Sequence, residues 1–275
     1  MHIAIKQARR HYEGNIWIIA PDSETHKFEV GYKTFIVNES ELKDSPELFA
    51  FNSCSWFDQT FGEFWSVTFS RLFYVEALIR KHSLENCIHL ENDVLIYVDP
   101  KQFEKVFREI YRNKVAINPV GPKYATFAYG YIDNYYAIHN LNQLLLAQVK
   151  KGYDALMKEI GEDMVNEMML LKLVADSNEN IVEYLPSLPE GSFSKYYDQI
   201  GFLFDPASYG QYIGGTGSNN PGWVGDHHWI GKAIIGKKIA LTYGNRHPID
   251  IECNWGKFPL ANLHIHSKEL HKYVY

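Results

Sequence analysis

The stretch Cys87-Ile88-His89-Leu90-Glu91-Asn92-Asp93-Val94-Leu95-Ile96 decides how this chain is organised. It begins as an apolar strand, reaches two carboxylates one residue apart and becomes apolar again. Because side chains alternate along an extended chain, Glu91 and Asp93 face the same side. Two carboxylates at the end of a buried strand need a positive partner, and their hard oxygens suit Mn²⁺ or Mg²⁺. The alternative is a solvated turn with two surface acids.

Apolar segments before and after this stretch predict alternating strands and helices. We expect strands at 15–20, 34–37 and 115–117, and helices at 58–82 and near 100–112. Such a pattern predicts an α/β fold with a mostly parallel central sheet flanked by helices. Ligands of these sheets bind beyond the carboxyl ends of the strands, which is where Glu91 and Asp93 lie.

The second half of the chain has a different character. Two or three helices are predicted between residues 134 and 174, and short strands and loops dominate after residue 176. Gly and Pro are frequent from 186 to 225. No Ser/Gly linker separates the halves, so we expect a single domain over residues 1–275.

The composition is that of a globular protein. Hydrophobic residues make up 46% of the chain, which argues against global disorder. The net charge of −6, without a long basic run, argues against nucleic-acid binding. Cys54, Cys87 and Cys253 fit neither a disulfide framework nor a zinc spacing, which favours a reducing compartment. With no signal-like core and no run of membrane-spanning length, the prediction is a cytoplasmic protein without a transmembrane segment.

Residues 65–72, Trp-Ser-Val-Thr-Phe-Ser-Arg-Leu, and residues 87–100 resemble nucleotide-sugar glycosyltransferases of the GT-A fold. The likeness is to the glycogenin and galactosyltransferase group, in which a Thr-x-x-Arg-Leu helix precedes an Asp-x-Asp (DXD) strand end. Here Glu91 takes the place of the first Asp. Residues 204–215 and 262–268 resemble glycosyltransferases of bacteria and of large DNA viruses. The resemblance implies a GT-A (Rossmann-like) fold, with about 1–118 binding the nucleotide sugar and about 119–275 binding the acceptor.

The carboxylate pair is the expected donor site. Glycosyl transfer breaks a bond to a diphosphate, and a metal held by carboxylates would stabilise the charge that develops there. We predict Asp93 as a direct metal ligand and Glu91 as a ligand through water or a contact to the ribose. The resemblance adds Thr68 to the donor site.

The segment Leu263-His264-Ile265-His266 alternates strictly, so both imidazoles share one face. Either His264 or His266 would complete the metal site, and nitrogen added to two carboxylates suits manganese better than calcium. The alternative is a surface strand whose polar face contains two histidines. The resemblance implies that Lys268 lies near the diphosphate, where an ammonium would offset charge.

Three residues are candidates for catalysis. Arg71 lies mid-helix among apolar neighbours, and a buried Arg needs an acidic partner. The resemblance implies that it orients the carboxylate turn or touches the donor, and a purely structural ion pair is the alternative. Asp163 and Glu167 lie four residues apart on one helix face, and either is a candidate general base for an inverting transferase. An exposed acidic helix face is the other interpretation.

The sugar or acceptor pocket is expected in the glycine-rich second half. Asp205, Gly214 and Gly215 belong to the segment 204–215 of the resemblance, and glycine allows close backbone approach to a ligand. Trp223 is a candidate to stack on a sugar face. For the glycine-rich segment the alternative is a plain turn. For Trp223 it is a loop in which the polar groups bond to one another and bind no ligand.

These patterns predict a metal-dependent glycosyltransferase, either a hexosyl- or a pentosyltransferase. It would move a sugar from a nucleotide-diphosphate donor, with UDP-sugar the expected one, to a hydroxyl of a glycan or glycoconjugate. One alternative is a nucleotidyltransferase or phosphoester hydrolase, although residues 20–24, Ala-Pro-Asp-Ser-Glu, lack the Gly-rich basic loop of a nucleotidyltransferase. The other is an inactive glycan-binding protein, which has no need for the costly carboxylate pair.

Overall fold

The computed structural model describes residues 2–28, 31–54, 56–161, 165–212, 240–242, 249–253, 256–265 and 269–274. Helices cover both halves of the chain, and the predicted long helix over 58–82 is confirmed as α3. A 3-10 turn at Pro100–Phe103 leads into α4, which confirms the helix expected near 100–112. The α-helices are α1 (His2–His11), α2 (Pro46–Asn52), α3 (Trp56–His82), α4 (Glu104–Ile110), α5 (Tyr135–Val149), α6 (Tyr153–Ile160), α7 (Glu167–Ser177), α8 (Tyr197–Ile200) and α9 (Tyr209–Tyr212).

The central sheet is mixed, which corrects the prediction of a mostly parallel one. Its order is β3-β6-β5-β7, and only the β5–β7 pairing is parallel. The cause is the short β5–β6 connection, which is a hairpin and is too short for the crossover that parallel neighbours need. The strands are β3 (Cys87–Leu90), β5 (Val115–Pro119), β6 (Ala125–Ile132) and β7 (Val182–Tyr184).

Two smaller sheets complete the described strands. β1 (Ile16–Ala20) and β2 (Thr34–Asn38) form a parallel pair, which confirms both predicted strands. The other sheet has the order β4-β11-β10-β9, with β8 pairing parallel to β11. Its members are β4 (Val94–Ile96), β8 (Leu203–Phe204), β9 (Ala240–Thr242), β10 (Asp250–Cys253) and β11 (Gly256–His264). The carboxylate turn joins β3 to β4 and therefore connects the central sheet to this one.

The central sheet is covered on both faces. Val115 and Ile117 of β5 pack with α3, α5 and α7, whereas Ala116 packs on the other side with Phe107 of α4 and Phe204 of β8. This alternation is the period-two pattern of a strand buried on both faces. Among the described residues, no helix has the length and apolar character required to span a bilayer.

Candidate metal centre

The turn between β3 and β4 presents both predicted carboxylates. The N–H of Glu91 donates to the carbonyl of Ala128 on β6 at 2.9 Å, which holds the start of the turn to the central sheet. The N–H of Val94 donates to the carbonyl of Glu91 at 3.1 Å and closes the turn. Asp93 is buried and Glu91 is half-buried, so this is not a solvated surface turn.

His264 arrives at the same place from the far end of the chain. β11 pairs antiparallel with β4, and the register sets His264 opposite Val94. The N–H of Ile265 donates to the carbonyl of Asp93 at 2.9 Å. As a result, His264 Nε2 lies 3.1 Å from Asp93 Oδ2 and 3.7 Å from Glu91 Oε2.

These three side chains could hold a divalent cation. One ligand atom each of Glu91, Asp93 and His264 lies within 4.8 Å of the other two. Two carboxylate oxygens and one imidazole nitrogen are a donor set that suits Mn²⁺ and Mg²⁺. Three protein ligands would leave coordination positions for oxygens of a substrate. The residues therefore fit the metal that the sequence predicts.

The charges in the centre stabilise one another. Burial raises the pKa of Glu91, but the neighbouring Arg71 and His264 outweigh it and hold this pKa below its ordinary value. Burial lowers the pKa of His264, but the hydrogen bond to Asp93 and the charge of Glu91 raise it overall. A metal bound by His264 would have to displace the proton that these carboxylates favour.

Arg71 bridges the carboxylate turn to α7. Its Nη1 lies 2.8 Å from Glu91 Oε1, and its Nη2 lies 2.8 Å from Glu167 Oε1. Burial raises the pKa of Glu167 to about 7, although Arg71 and a hydrogen bond from Thr68 oppose this. Arg71 is half-buried, and it has two acidic partners where the sequence predicted one. Glu167 is buried against this guanidinium, so it is not on an exposed acidic face. It is the first residue of α7, because residues 165 and 166 are not helical, and this corrects the prediction of one helix face shared by positions 163 and 167.

Asp205 is not placed as a residue of an open sugar pocket. It is completely buried, and its oxygens accept hydrogen bonds from the backbone N–H groups of Ser208, Tyr209, Gly210 and His264. This position differs from the expected contact with a sugar. The sequence alone does not separate the two roles, because an Asp before a Pro-containing turn is typical both of a ligand-binding residue and of a turn-forming one.

His89 is a residue near the centre that sequence reasoning missed. It precedes Glu91 by two residues on β3, and its ring stacks on Phe127 at 4.6 Å. Burial, followed by the nearby Arg71, lowers the pKa of His89 to about 4, so the ring is neutral. The Nδ1–H donates to the carbonyl of Phe127 at 2.7 Å. The period-two spacing to Glu91 was the signal that could have identified it.

Six predicted site residues lie outside the described part of the chain. Their roles stay predictions. They are Asp163, Gly214, Gly215, Trp223, His266 and Lys268.

Comparison with known proteins gives little beyond this geometry. No protein-family model and no curated protein matches the chain. Among solved structures, mouse xyloside xylosyltransferase 1 in its apo form is similar, with a TM-score of 0.49 and 12% sequence identity. The match covers 73% of this chain and 87% of that protein. Likeness at this level does not define a function.

Proposed function

We propose that this chain is a metal-dependent glycosyltransferase that moves a sugar from a nucleotide-diphosphate donor to a hydroxyl of a glycan or glycoconjugate. One observation carries the proposal. Glu91, Asp93 and His264 converge at the carboxyl end of β3, where they form a compact set of oxygen and nitrogen donors. The resemblance of residues 65–72 and 87–100 to GT-A enzymes indicates which chemistry such a set would serve.

Asp93 and His264 would hold the metal directly, with Glu91 as a third ligand or a contact to the ribose. The bound Mn²⁺ or Mg²⁺ would act as a Lewis acid towards the diphosphate leaving group. Arg71 keeps the Glu91 carboxylate in place and adds a positive charge beside it. That charge would also favour an anionic donor.

The remaining roles follow from what each side chain already contacts. Glu167 is held by Arg71 and Thr68, so we assign it to orienting Arg71. This leaves Asp163 as the proposed general base of an inverting reaction. Lys268 is proposed for the diphosphate and His266 as a second imidazole near the metal. Gly214, Gly215 and Trp223 are proposed for the sugar and acceptor pocket.

The burial of the centre favours this function over a passive glycan-binding module. Two carboxylates with an imidazole and a guanidinium are costly to desolvate, and a module that binds sugar without metal gains nothing from them. A nucleotidyltransferase or phosphoester hydrolase could use the same donor set. These enzymes differ from a transferase in their substrates. The test must therefore include both nucleotide-sugar donors and a simple phosphoester.

The test measures thermal unfolding with UDP, GDP, CMP and their sugar conjugates, each with and without Mn²⁺. A ligand at 100 times its Kd stabilises the folded state by about 2.7 kcal/mol, which raises the Tm of a chain of this size by several degrees. We expect one nucleotide diphosphate to do so only with Mn²⁺, and Asp93→Asn to abolish the effect. Sugar transfer is then assayed with the donor thus identified.

The matched control is Asp133→Asn. Asp133 follows β6 at the end where Ile132 pairs with Cys87, whereas Glu91 follows the opposite end of β3. This variant should retain the metal-dependent shift. Stabilisation by no nucleotide in any condition would refute the proposal. Turnover of p-nitrophenyl phosphate without any sugar transfer would favour the hydrolase instead.

A further inference from the structure

Asp205 has every acceptor position of its carboxylate in use. Oδ1 accepts the N–H of Ser208 at 2.7 Å and of Tyr209 at 2.8 Å. Oδ2 accepts the N–H of Gly210 and of His264, each at 2.8 Å. A carboxylate offers about four lone-pair sites, and four donors occupy them. Asp205 therefore acts inside the protein and has nothing left to offer a sugar.

The bond to His264 extends a strand ladder. β8 pairs parallel to β11 and ends at Phe204, so Asp205 is the next residue beside the end of β11. A second pair of bonds ties the same two segments. The N–H of Asp205 donates to Asn262 Oδ1 at 3.1 Å, and Asn262 Nδ2 donates to the carbonyl of Asp205 at 3.4 Å. The backbone that carries the imidazole is held by β4 on one side and by Asp205 on the other.

Gly210 packs directly on the same backbone. A Cβ at Gly210 would lie 2.2 Å from the carbonyl oxygen of His264 and 2.7 Å from its carbonyl carbon. Any side chain here would push against the peptide group of His264. Ala207, between Asp205 and Gly210, adopts a positive φ of 68° that L-residues seldom take. The loop is thus held in an uncommon shape against one residue of the centre.

We propose that Asp205 is a positioning residue, which together with Gly210 fixes the backbone of His264 so that its imidazole reaches Asp93. The inference rests on the proposed metal centre. It makes the loop after β8 part of that centre, although no side chain of the loop is a ligand. Outer groups that orient ligands typically change metal affinity by about 10- to 100-fold when they are mutated.

The test compares Mn²⁺ binding by the wild-type chain, residues 1–275, with binding by Asp205→Asn and Gly210→Ala, with no nucleotide present. Electron paramagnetic resonance of free Mn²⁺ gives the Kd, and electron spin echo modulation detects the ¹⁴N of a coordinated imidazole. An amide at position 205 places an NH₂ group opposite backbone N–H donors. Because two donors cannot form a hydrogen bond, the bonds to one of the two oxygens are lost. We expect both variants to bind Mn²⁺ about 10-fold or more weakly and to show a weaker ¹⁴N signal. Gly210→Ala keeps the carboxylate, so it decides the matter if Asp205→Asn does not fold.

Asp133→Asn is again the control, because Asp133 also accepts a backbone N–H, that of Asn113 at 2.8 Å, and lies at the end of β3 opposite to Glu91. It should lower the Tm without changing the Kd for Mn²⁺. Wild-type affinity and an unchanged ¹⁴N signal in folded Asp205→Asn or Gly210→Ala would overturn the inference. An equal loss of affinity in Asp133→Asn would also overturn it. If the wild type binds no Mn²⁺ even after the nucleotide diphosphate is added, the proposed function fails, which is a different result.

Discussion

His264 Nε2 lies 3.1 Å from Asp93 Oδ2, although 171 positions separate the two residues in the chain. The contact depends on the antiparallel register of β4 and β11, which sets His264 opposite Val94. A shift of one residue would turn the imidazole to the other face of the sheet, because the side-chain period of a strand is two. The geometry of the centre is therefore a property of strand pairing.

Replacing the imidazole should weaken metal binding. We expect His264→Ala to raise the Kd for Mn²⁺ about 10- to 100-fold or more, because one of three candidate ligands is lost. Isothermal titration calorimetry measures this directly. His271→Ala is the control, since His271 is an exposed residue of the same C-terminal region. Equal affinities of wild type and His264→Ala would exclude His264 as a ligand.

Removing the guanidinium of Arg71 should destabilise the fold. Arg71→Met leaves Glu91 and Glu167 without their shared cation. Breaking a buried pair typically costs about 3–5 kcal/mol, and because the Arg71 side chain is 24% exposed we expect the lower end of that range. Arg80→Met on the same helix is the control. Arg80 contacts Glu47 at 3.4 Å and its side chain is 39% exposed, so the loss should be at most about 1 kcal/mol.

Urea unfolding gives both free energies, and a similar small loss in the two variants would show that the Arg71 bridge contributes little.

The double variant Arg71→Met/Glu167→Gln should recover part of the loss. Glutamine at position 167 is uncharged, so no unpaired charge is left buried there. A double variant less stable than Arg71→Met would contradict this reasoning.

Glu76 on α3 should make the stability depend on pH. Burial raises its pKa above the ordinary 4.5, although hydrogen bonds from Asn142 and His139 oppose this. The folded state therefore holds the proton more tightly than the unfolded state. The stability that this group contributes is fully present below about pH 4.5 and is lost as the pH rises through the folded-state pKa.

Comparison with Glu76→Gln isolates this group. The free energy of unfolding of the wild type, minus that of Glu76→Gln, should fall as the pH is raised from 4.5. Urea unfolding at a series of pH values provides the difference. A value that is constant or that rises with pH would mean that the partners of Glu76, and not its burial, determine its ionisation.

Cys87 should be nearly inert towards thiol reagents. Burial, with a smaller effect of Glu85, raises the pKa of its thiol to about 12. At pH 8 its thiolate fraction is then roughly 1,000-fold lower than that of a thiol with a pKa of 9. The rate with a disulfide reagent, measured in a Cys54→Ser/Cys253→Ser variant, checks this. Fast labelling of the folded protein would show that β3 opens more readily than its burial suggests.

Local pattern was sufficient for the elements with strong periodicity. The apolar spacing over 58–82 predicted α3, and the run 15–20 predicted β1. α1, α2 and β6 were not predicted. All eight residues of β6 are buried, so it lacks the alternation that marks a strand with one exposed face. The sheet is mixed because β5 and β6 form a hairpin. Hydrophobic periodicity does not show that these two strands are neighbours.

The sequence by itself determined the chemical character of the site. The turn after β3 carries both Glu91 and Asp93. Because only one residue separates them in the sequence, their proximity does not depend on the packing of distant segments. Only the tertiary structure decided that His264 joins them, that Arg71 pairs with both Glu91 and Glu167, and that Asp205 lies behind the centre. These contacts depend on strand register and helix packing between distant segments, which are set by the burial of whole faces and not by any local spacing.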